Sequence, residues 1–490
     1  MARIVMLFYA PVAVAIVVLL LFLFRIHSAL SEPRLQLWHT YIPEELSTEE
    51  LESATWGDYT AREEQVFAAV RVHVSDKLPL ATRTKLNRYY EGSLIYPPHF
   101  EHDWNRSFIL EPEGDVLGVA VFLHGLTDSP YTLRHVAMHY TKRGFVSIGL
   151  RVPEHGTVPA ALAHAQWEHW MAATRMAVRE AQKRSPSQAP LHLVGFSNGA
   201  ALAVKYTLDS LQDTSLCRPD QLVLMSPLVG VVPLARFAGL AALPSVFPAF
   251  AKAAWLSVIP EFNPFKYNSL HANAIQQTHR LSSAMQAQIG SLFREGKMRE
   301  MPPILTFHSV VDTTVSTSAI VSKLYAYLPK NDSELVFFDI NRVVSHGPIA
   351  RYLSDNRVAR MLPQSPQNYR FTMISNTPQE KHKPIESTVA AGEAKMLSRD
   401  LDIPFPPHFS ALSHFAIPIP VDDPLYGVDL RVGAQKEFGV NLGLMGALTE
   451  YDPSHVDPDS LFRIGSNPFF PYVLERIDHA IDRGMKNKGI

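Results

Sequence analysis

Apolar residues in this chain gather into short uninterrupted runs, separated by longer stretches in which they recur at helical spacing. The runs are Gly118–Leu123, Phe145–Leu150, Leu191–Val194, Gln221–Met225, Ile304–Phe307 and Glu334–Phe338. Helical spacing follows in Pro130–Arg143, Trp167–Lys183, Asn198–Leu208 and Ser316–Tyr327. Runs of strand length without polar alternation predict strands covered on both faces, and their alternation with helices predicts a mostly parallel sheet. Right-handed crossovers then place helices on both faces. The fold class expected is α/β.

The alternation breaks twice. Residues 232–299 carry Ala, Leu, Phe and Trp at helical spacing, interrupted by Pro244, Pro248, Pro260 and Pro264. This predicts a helical insertion over the sheet, a candidate lid; ordinary crossover helices joined by long loops are the alternative. Residues 363–402 hold one strand-like run, Tyr369–Ile374, and a polar tail. Near the start, the acid-rich stretch Glu44–Glu64 reads as a solvated helical stem.

The first residues have a different pattern. Ile4 to Phe24 contains no charge and is bracketed by Arg3 and Arg25. About 20 apolar residues match a hydrocarbon core roughly 30 Å thick, which predicts a single-pass anchor and a membrane location. Pro11 is tolerable within such a span. A cleaved signal peptide would have a shorter apolar core and a small-x-small site, which Arg25–Leu30 lacks. Arg3 before the span and Arg25 and Arg34 after it leave its orientation open. The expected organisation is an anchor over 1–30, a stem and lead-in helices over 31–105, a first core segment over 106–231, the lid over 232–299, and a second core segment with a C-terminal extension over 300–490.

Composition narrows the chemistry. In 490 residues, 45 Lys+Arg against 47 Asp+Glu leave a net charge of −2, so no basic stripe exists to recruit nucleic acid. Hydrophobic residues make up 47% and aromatics 10%, ample for a sizeable core. The single cysteine, Cys217, rules out an internal disulfide, a cysteine zinc cluster and a CxxC redox pair.

Gly195-Phe196-Ser197-Asn198-Gly199 is G-x-S-x-G, and its context gives it weight: a strand precedes it and an Ala-rich helix follows. A serine on such a turn is strained, lifted at the sheet edge and set at a helix N-terminus, where positive partial charge favours a developing oxyanion. One oxyanion donor is then the amide of Asn198. The other is expected from the loop His124-Gly125-Leu126, where Gly125 permits close backbone approach and Leu126 supplies the N–H. His124 reads as the residue that orients this loop, not as a base. The Arg151–Gly156 loop receives no catalytic role.

A serine nucleophile needs a base, and the base needs an orienting carboxylate. Asp312 stands just past a strand and before a helix, where ligand-facing residues of an open α/β sheet emerge; Asp339 is the weaker choice. Both His346 and His414 satisfy the chain order Ser, Asp, His. Spacing alone leans toward His346.

Together, the His124-Gly125 loop, the turn at Ser197, the helical insertion and Asp312 resemble the α/β-hydrolase superfamily, in its monoacylglycerol-lipase and serine-aminopeptidase-like branch. The resemblance covers about residues 106–348. The later part resembles a bacterial membrane-anchored subgroup, through Phe338–Arg342, Leu412-Ser413-His414, Asp422–Gly427 and Ser466–Tyr472. That likeness implies His414 as the base, with an extra strand and loop between acid and base. It further implies a Ser-His-Asp serine hydrolase acting on a small-molecule carboxylic ester of acyl or lipid-like type, with no metal or organic cofactor. Serine at the turn argues against dehalogenase or epoxide-hydrolase chemistry, which resembles this fold but uses aspartate there. The alternatives are a short-peptide aminopeptidase of the same fold and a non-catalytic lipid- or partner-binding protein. Oligomeric state is not legible.

Overall fold

A computed structural model describes residues 26–28, 30–186, 188–230, 245, 248–340, 366–376, 383–406, 409, 411–428, 437–443 and 463–489. At its centre lies a ten-stranded sheet. In chain order its strands are β1 (Phe108–Leu110), β2 (Gly118–Leu123), β3 (Phe145–Leu150), β4 (Leu191–Phe196), β5 (Gln221–Met225), β6 (Ile304–Ser309), β7 (Glu334–Asp339), β8 (Arg370–Asn376), β9 (Pro384–Val389) and β10 (Met396–Asp400). Their spatial order is β1-β3-β2-β4-β5-β6-β7-β8-β9-β10. From β3 to β8 every neighbouring pair is parallel, while β1, β9 and β10 join antiparallel at the two edges. This is the α/β-hydrolase arrangement, a mostly parallel sheet flanked by helices.

The buried runs behave as their composition dictates. Strands β2 to β6 have every residue buried, because helices cover both faces. Among the described residues the α-helices of six residues or more are α1 (Thr48–Ser53), α2 (Trp56–His73), α3 (Arg134–Lys142), α4 (Trp167–Arg184), α5 (Asn198–Ser210), α6 (Ala272–Arg294) and α7 (Phe470–Lys488). One face is packed with Leu193, Leu224, Trp170, Ala201 and Met285 from the sheet, α4, α5 and α6. The other is rich in aromatics and brings Phe122, Phe307 and Phe338 together with Tyr140 of α3 and Ile477 of α7.

Two expectations shift. Of the insertion expected over 232–299, residues 232–244 and 246–247 lie outside the described residues. Its longest described element, α6, buries Leu281, Met285, Ile289 and Leu292 in the same core as the sheet, so it is a crossover layer and not a cover. The polar tail after Tyr369–Ile374 contains β9 and β10. All five residues of β10 are exposed, so this edge strand carries no apolar pattern from which it could be read.

The membrane expectation is corrected. Residues 4–24 lie outside the described residues. Among the described residues no helix is long and apolar enough to cross a membrane, so the expected membrane location and single-pass anchor are not upheld.

The stem is docked rather than free in solvent. Capping boxes at Ser47/Glu50 and Thr55/Asp58 start α1 and α2, and α2 buries Tyr59, Glu63, Val66 and Val70. Arg151, fully buried at the end of β3, holds the stem through Glu45 (2.8 Å) and Glu63 (2.8 Å). Arg151→Met is expected to destabilise the protein by about 3 kcal/mol, because two carboxylates then stay buried without their cation. Urea unfolding measures it; a loss below about 0.5 kcal/mol, typical of a surface site, would contradict the docking role.

Candidate active site

The turn after β4 leaves no residue between strand and helix other than the serine itself. β4 ends at Phe196 and α5 begins at Asn198, which forces Ser197 to φ 52° and ψ −113°. A non-glycine residue there is strained by about 1–3 kcal/mol, and the surroundings hold it. The Ser197 amide donates to Met225 O at 2.9 Å, and its carbonyl accepts from the amides of Ala200 (3.1 Å) and Ala201 (3.3 Å).

The glycines of the motif are needed because backbone occupies the space a side chain would take. A Cβ on Gly195 would lie 2.5 Å from the Cα of Ala200, and one on Gly199 would lie 1.9 Å from Leu123 O. The helix start is therefore pressed onto the end of β2, where the His124-Gly125 loop begins. His124 orients that loop, as expected. Its Nε2 accepts from the Val152 amide at 3.0 Å, so Nδ1 carries the proton and donates to Gly125 O at 2.9 Å. Burial holds its pKa well below the ordinary histidine value, with nearby His155 adding to the effect. Next to it, Leu126 makes no backbone hydrogen bond through its amide among the described residues. Asn198, first in its helix, has no intrahelical acceptor for its own amide.

Ser197, Asp312 and His414 meet over the carboxyl ends of β4 and β6. The Ser197 hydroxyl donates to His414 Nε2 at 2.9 Å, and His414 Nδ1–H donates to Asp312 Oδ2 at 2.6 Å. The Asp312 side chain is fully buried. Burial opposes its ionisation, but His414, His308 and the Val315 amide outweigh that and hold the carboxyl below its ordinary range. Asp312 Oδ1 accepts from the amides of Thr314 (2.7 Å) and Val315 (3.0 Å), which aims Oδ2 at the imidazole. Ser197 keeps only 6% of its surface and His414 7%, so the pair sits in a nearly dry setting. His346 lies outside the described residues; Asp339 is placed at the end of β7.

His414 arrives on a segment that sequence reading left undefined. A two-residue strand β11 (Ala411–Leu412) pairs in parallel with β12 (Arg463–Ile464), apart from the main sheet. Two side chains not singled out from sequence touch this segment: Ser226 Oγ donates to His414 O at 2.9 Å, and Ser309 Oγ donates to Leu412 O at 2.9 Å. Their signal was a polar residue closing an apolar strand on the edge where Ser197 emerges.

Buried neutral histidines set an acid limit to this fold. Burial lowers His39, His155, His271 and His308 to about 4 and His192 to about 3. Each folded value is below the unfolded one, so unfolding takes up protons, and stability falls as pH drops from about 6.5 toward 4. The depressed Asp312 and Asp423 carboxyls add to the loss only below the ordinary aspartate range, while the raised His169, Glu63, Glu261 and Asp128 oppose it. The melting temperature is expected to drop steadily between pH 7 and 5; a flat profile would contradict burial of neutral imidazoles.

Residues 114–340 match the family described as serine aminopeptidase, S33. No curated protein sequence matches the chain. Among solved structures the chain is similar to the metagenome-derived lipolytic enzymes LipS and LipT, at 19% identity over 53% of this chain and 97% of that one, TM-score 0.37. It is similar to a soluble variant of monoglyceride lipase from Saccharomyces cerevisiae, at 14% identity over 46% and 78%, TM-score 0.35. Paleococcus ferrophilus monoacylglycerol lipase gives 13% identity over 52% and 98%, TM-score 0.34. The family match lies across β2 to β7 of a mostly parallel, helix-flanked sheet, and over residues 114–340 the chain is similar to the serine aminopeptidase S33 family of α/β hydrolases.

Proposed function

We propose that the protein hydrolyses carboxylic esters through an acyl-enzyme on Ser197. As Oγ attacks the ester carbonyl, His414 Nε2 takes its proton, and Asp312 keeps the imidazole in the required tautomer and steadies its positive charge. The amides of Leu126 and Asn198 receive the tetrahedral oxyanion at the start of α5. Collapse expels the alkoxide, which leaves as an alcohol with the proton from His414. Water, deprotonated by the same imidazole, then attacks the acyl carbon and frees the acid.

The observation that carries this reading is the unbroken line from the Ser197 hydroxyl through both nitrogens of His414 to a buried carboxylate. The Phe196 ring, its centroid 5.2 Å from that of the imidazole, packs behind the base from the buried core; the ester is proposed to be of acyl or lipid-like type. A fluorophosphonate probe tests it: one adduct per chain on Ser197 is expected, together with saturable hydrolysis of p-nitrophenyl esters of graded chain length. Folded protein that forms no adduct would reject the reading in favour of a binding protein.

A further inference from the structure

The base lies far from the acid in sequence. His414 follows Asp312 by 102 residues, and β11 pairs only with β12 among the described residues. No ladder of the main sheet therefore sets the height or tilt of the imidazole. Something else must, because the ring has to satisfy Ser197 and Asp312 at once.

We propose that Ser226 and Ser309 are positioning residues for His414, their hydroxyls fastening the base segment to the tips of β5 and β6. Both serines are 0% exposed. Their bonds reach the carbonyls of His414 and Leu412, each at 2.9 Å. Two anchors two residues apart fix both the position and the direction of the backbone that bears the imidazole; a single anchor would leave it free to pivot. The Ser413 amide also donates to Ile464 O at 3.0 Å, but β12 stands outside the main sheet, so that bond does not refer the segment to the edge that carries Ser197; the two serine hydroxyls do.

Ser226 carries a second mark. It adopts φ 45°, where glycine would be relaxed and a serine costs about 1–3 kcal/mol. Its amide donates to Phe307 O at 2.8 Å, which keeps the bend in place. The bend directs the hydroxyl away from the strand and onto the His414 carbonyl. At the end of β6, Ser309 does the same from an ordinary strand end, and three residues later the chain supplies Asp312. Acid and base segments are thus referenced to the same sheet edge.

The inference rests on His414 being the base, and its test separates the two. Ser226→Ala, Ser309→Ala, their double variant and Ser226→Gly are compared by active-site titration and pre-steady-state acylation with a p-nitrophenyl ester. Misplacement of a catalytic group by about 1 Å can cost roughly 100-fold, so the double variant is expected to acylate about 100-fold more slowly per titrated site, and each single about tenfold. KM should stay within about twofold, since uniform binding is untouched. Glycine at 226 removes both strain and hydroxyl and should be as slow as alanine. A purely structural role would lower the titrated fraction and leave the rate per site at the wild-type value, and that result overturns the proposal. Should Ser226→Ala fail to fold, Ser309→Ala and Ser226→Gly decide between the same two outcomes. A wild type that takes no fluorophosphonate overturns the hydrolase reading as well, whereas a labelled wild type with variants of undiminished rate overturns only the role of the serines.

Discussion

Replacing Ser197 with alanine is expected to abolish fluorophosphonate labelling and to lower ester turnover by about 10⁴–10⁶-fold. The substitution removes Oγ and nothing else of consequence. Its backbone at φ 52° is enforced by the amides and carbonyls of Met225, Ala200 and Ala201, so alanine inherits the same geometry. The melting temperature should therefore stay within a few degrees of the wild type, which separates lost chemistry from lost fold. What activity remains is expected to come from the amides proposed as oxyanion donors, those of Leu126 and Asn198; one such donor is worth about 2.7–4 kcal/mol. Measuring kcat/KM with a short p-nitrophenyl ester decides the matter, and turnover within tenfold of the wild type would remove Ser197 from the mechanism.

The second large effect is expected at Gly199, where alanine should both destabilise the protein and stop acylation. Its Cβ would stand 1.9 Å from Leu123 O, 2.3 Å from Leu123 C and 2.5 Å from His124 O. All three are backbone atoms at the end of a fully buried strand, so no side chain can turn aside. Relief requires the start of α5 to retreat from β2, and that movement parts the Asn198 amide from the loop that carries Leu126. The loss is expected to reach about 4 kcal/mol or more, at the extreme of single substitutions. Gly290, in the interior of α6, is the matched control: only the tip of Arg294 comes near its Cβ, at 3.8 Å. Gly290→Ala should leave activity unchanged and raise stability by about 0.4–1 kcal/mol through the unfolded chain. Thermal unfolding of the two variants, with burst kinetics, makes the comparison. A Gly199→Ala protein with wild-type melting and acylation would show that the contact between α5 and β2 is not needed.

Much of the architecture was legible from local pattern. Strands β2 to β7 each carry an apolar run, because covering a parallel sheet on both faces leaves no position for polar alternation. The turn at Ser197 was readable for a related reason: the two glycines mark places where strand and helix backbones touch. His124 could be assigned to its loop from chemistry alone, and its two hydrogen bonds agree with that.

Other features left no such trace. The exposed edge strand β10 has exposed residues throughout, so neither period nor burial announces it. The run from Ile4 to Phe24 is apolar enough to suggest a span; it lies outside the described residues, among which no helix is long and apolar enough to cross a membrane. The helical spacing of α6 revealed that it is a helix, but not that its apolar stripe faces the sheet core.

By itself the sequence determined the class of fold and the strained serine turn, because each rests on patterns and contacts within a short stretch of chain. Only the tertiary structure decided that His414 bridges Ser197 and Asp312, that Ser226 and Ser309 fasten its backbone, and that Arg151 holds the stem. Those contacts join segments 88 to 217 residues apart, and hydrogen bonds over such separations depend on how whole layers pack, which no local period in the chain encodes.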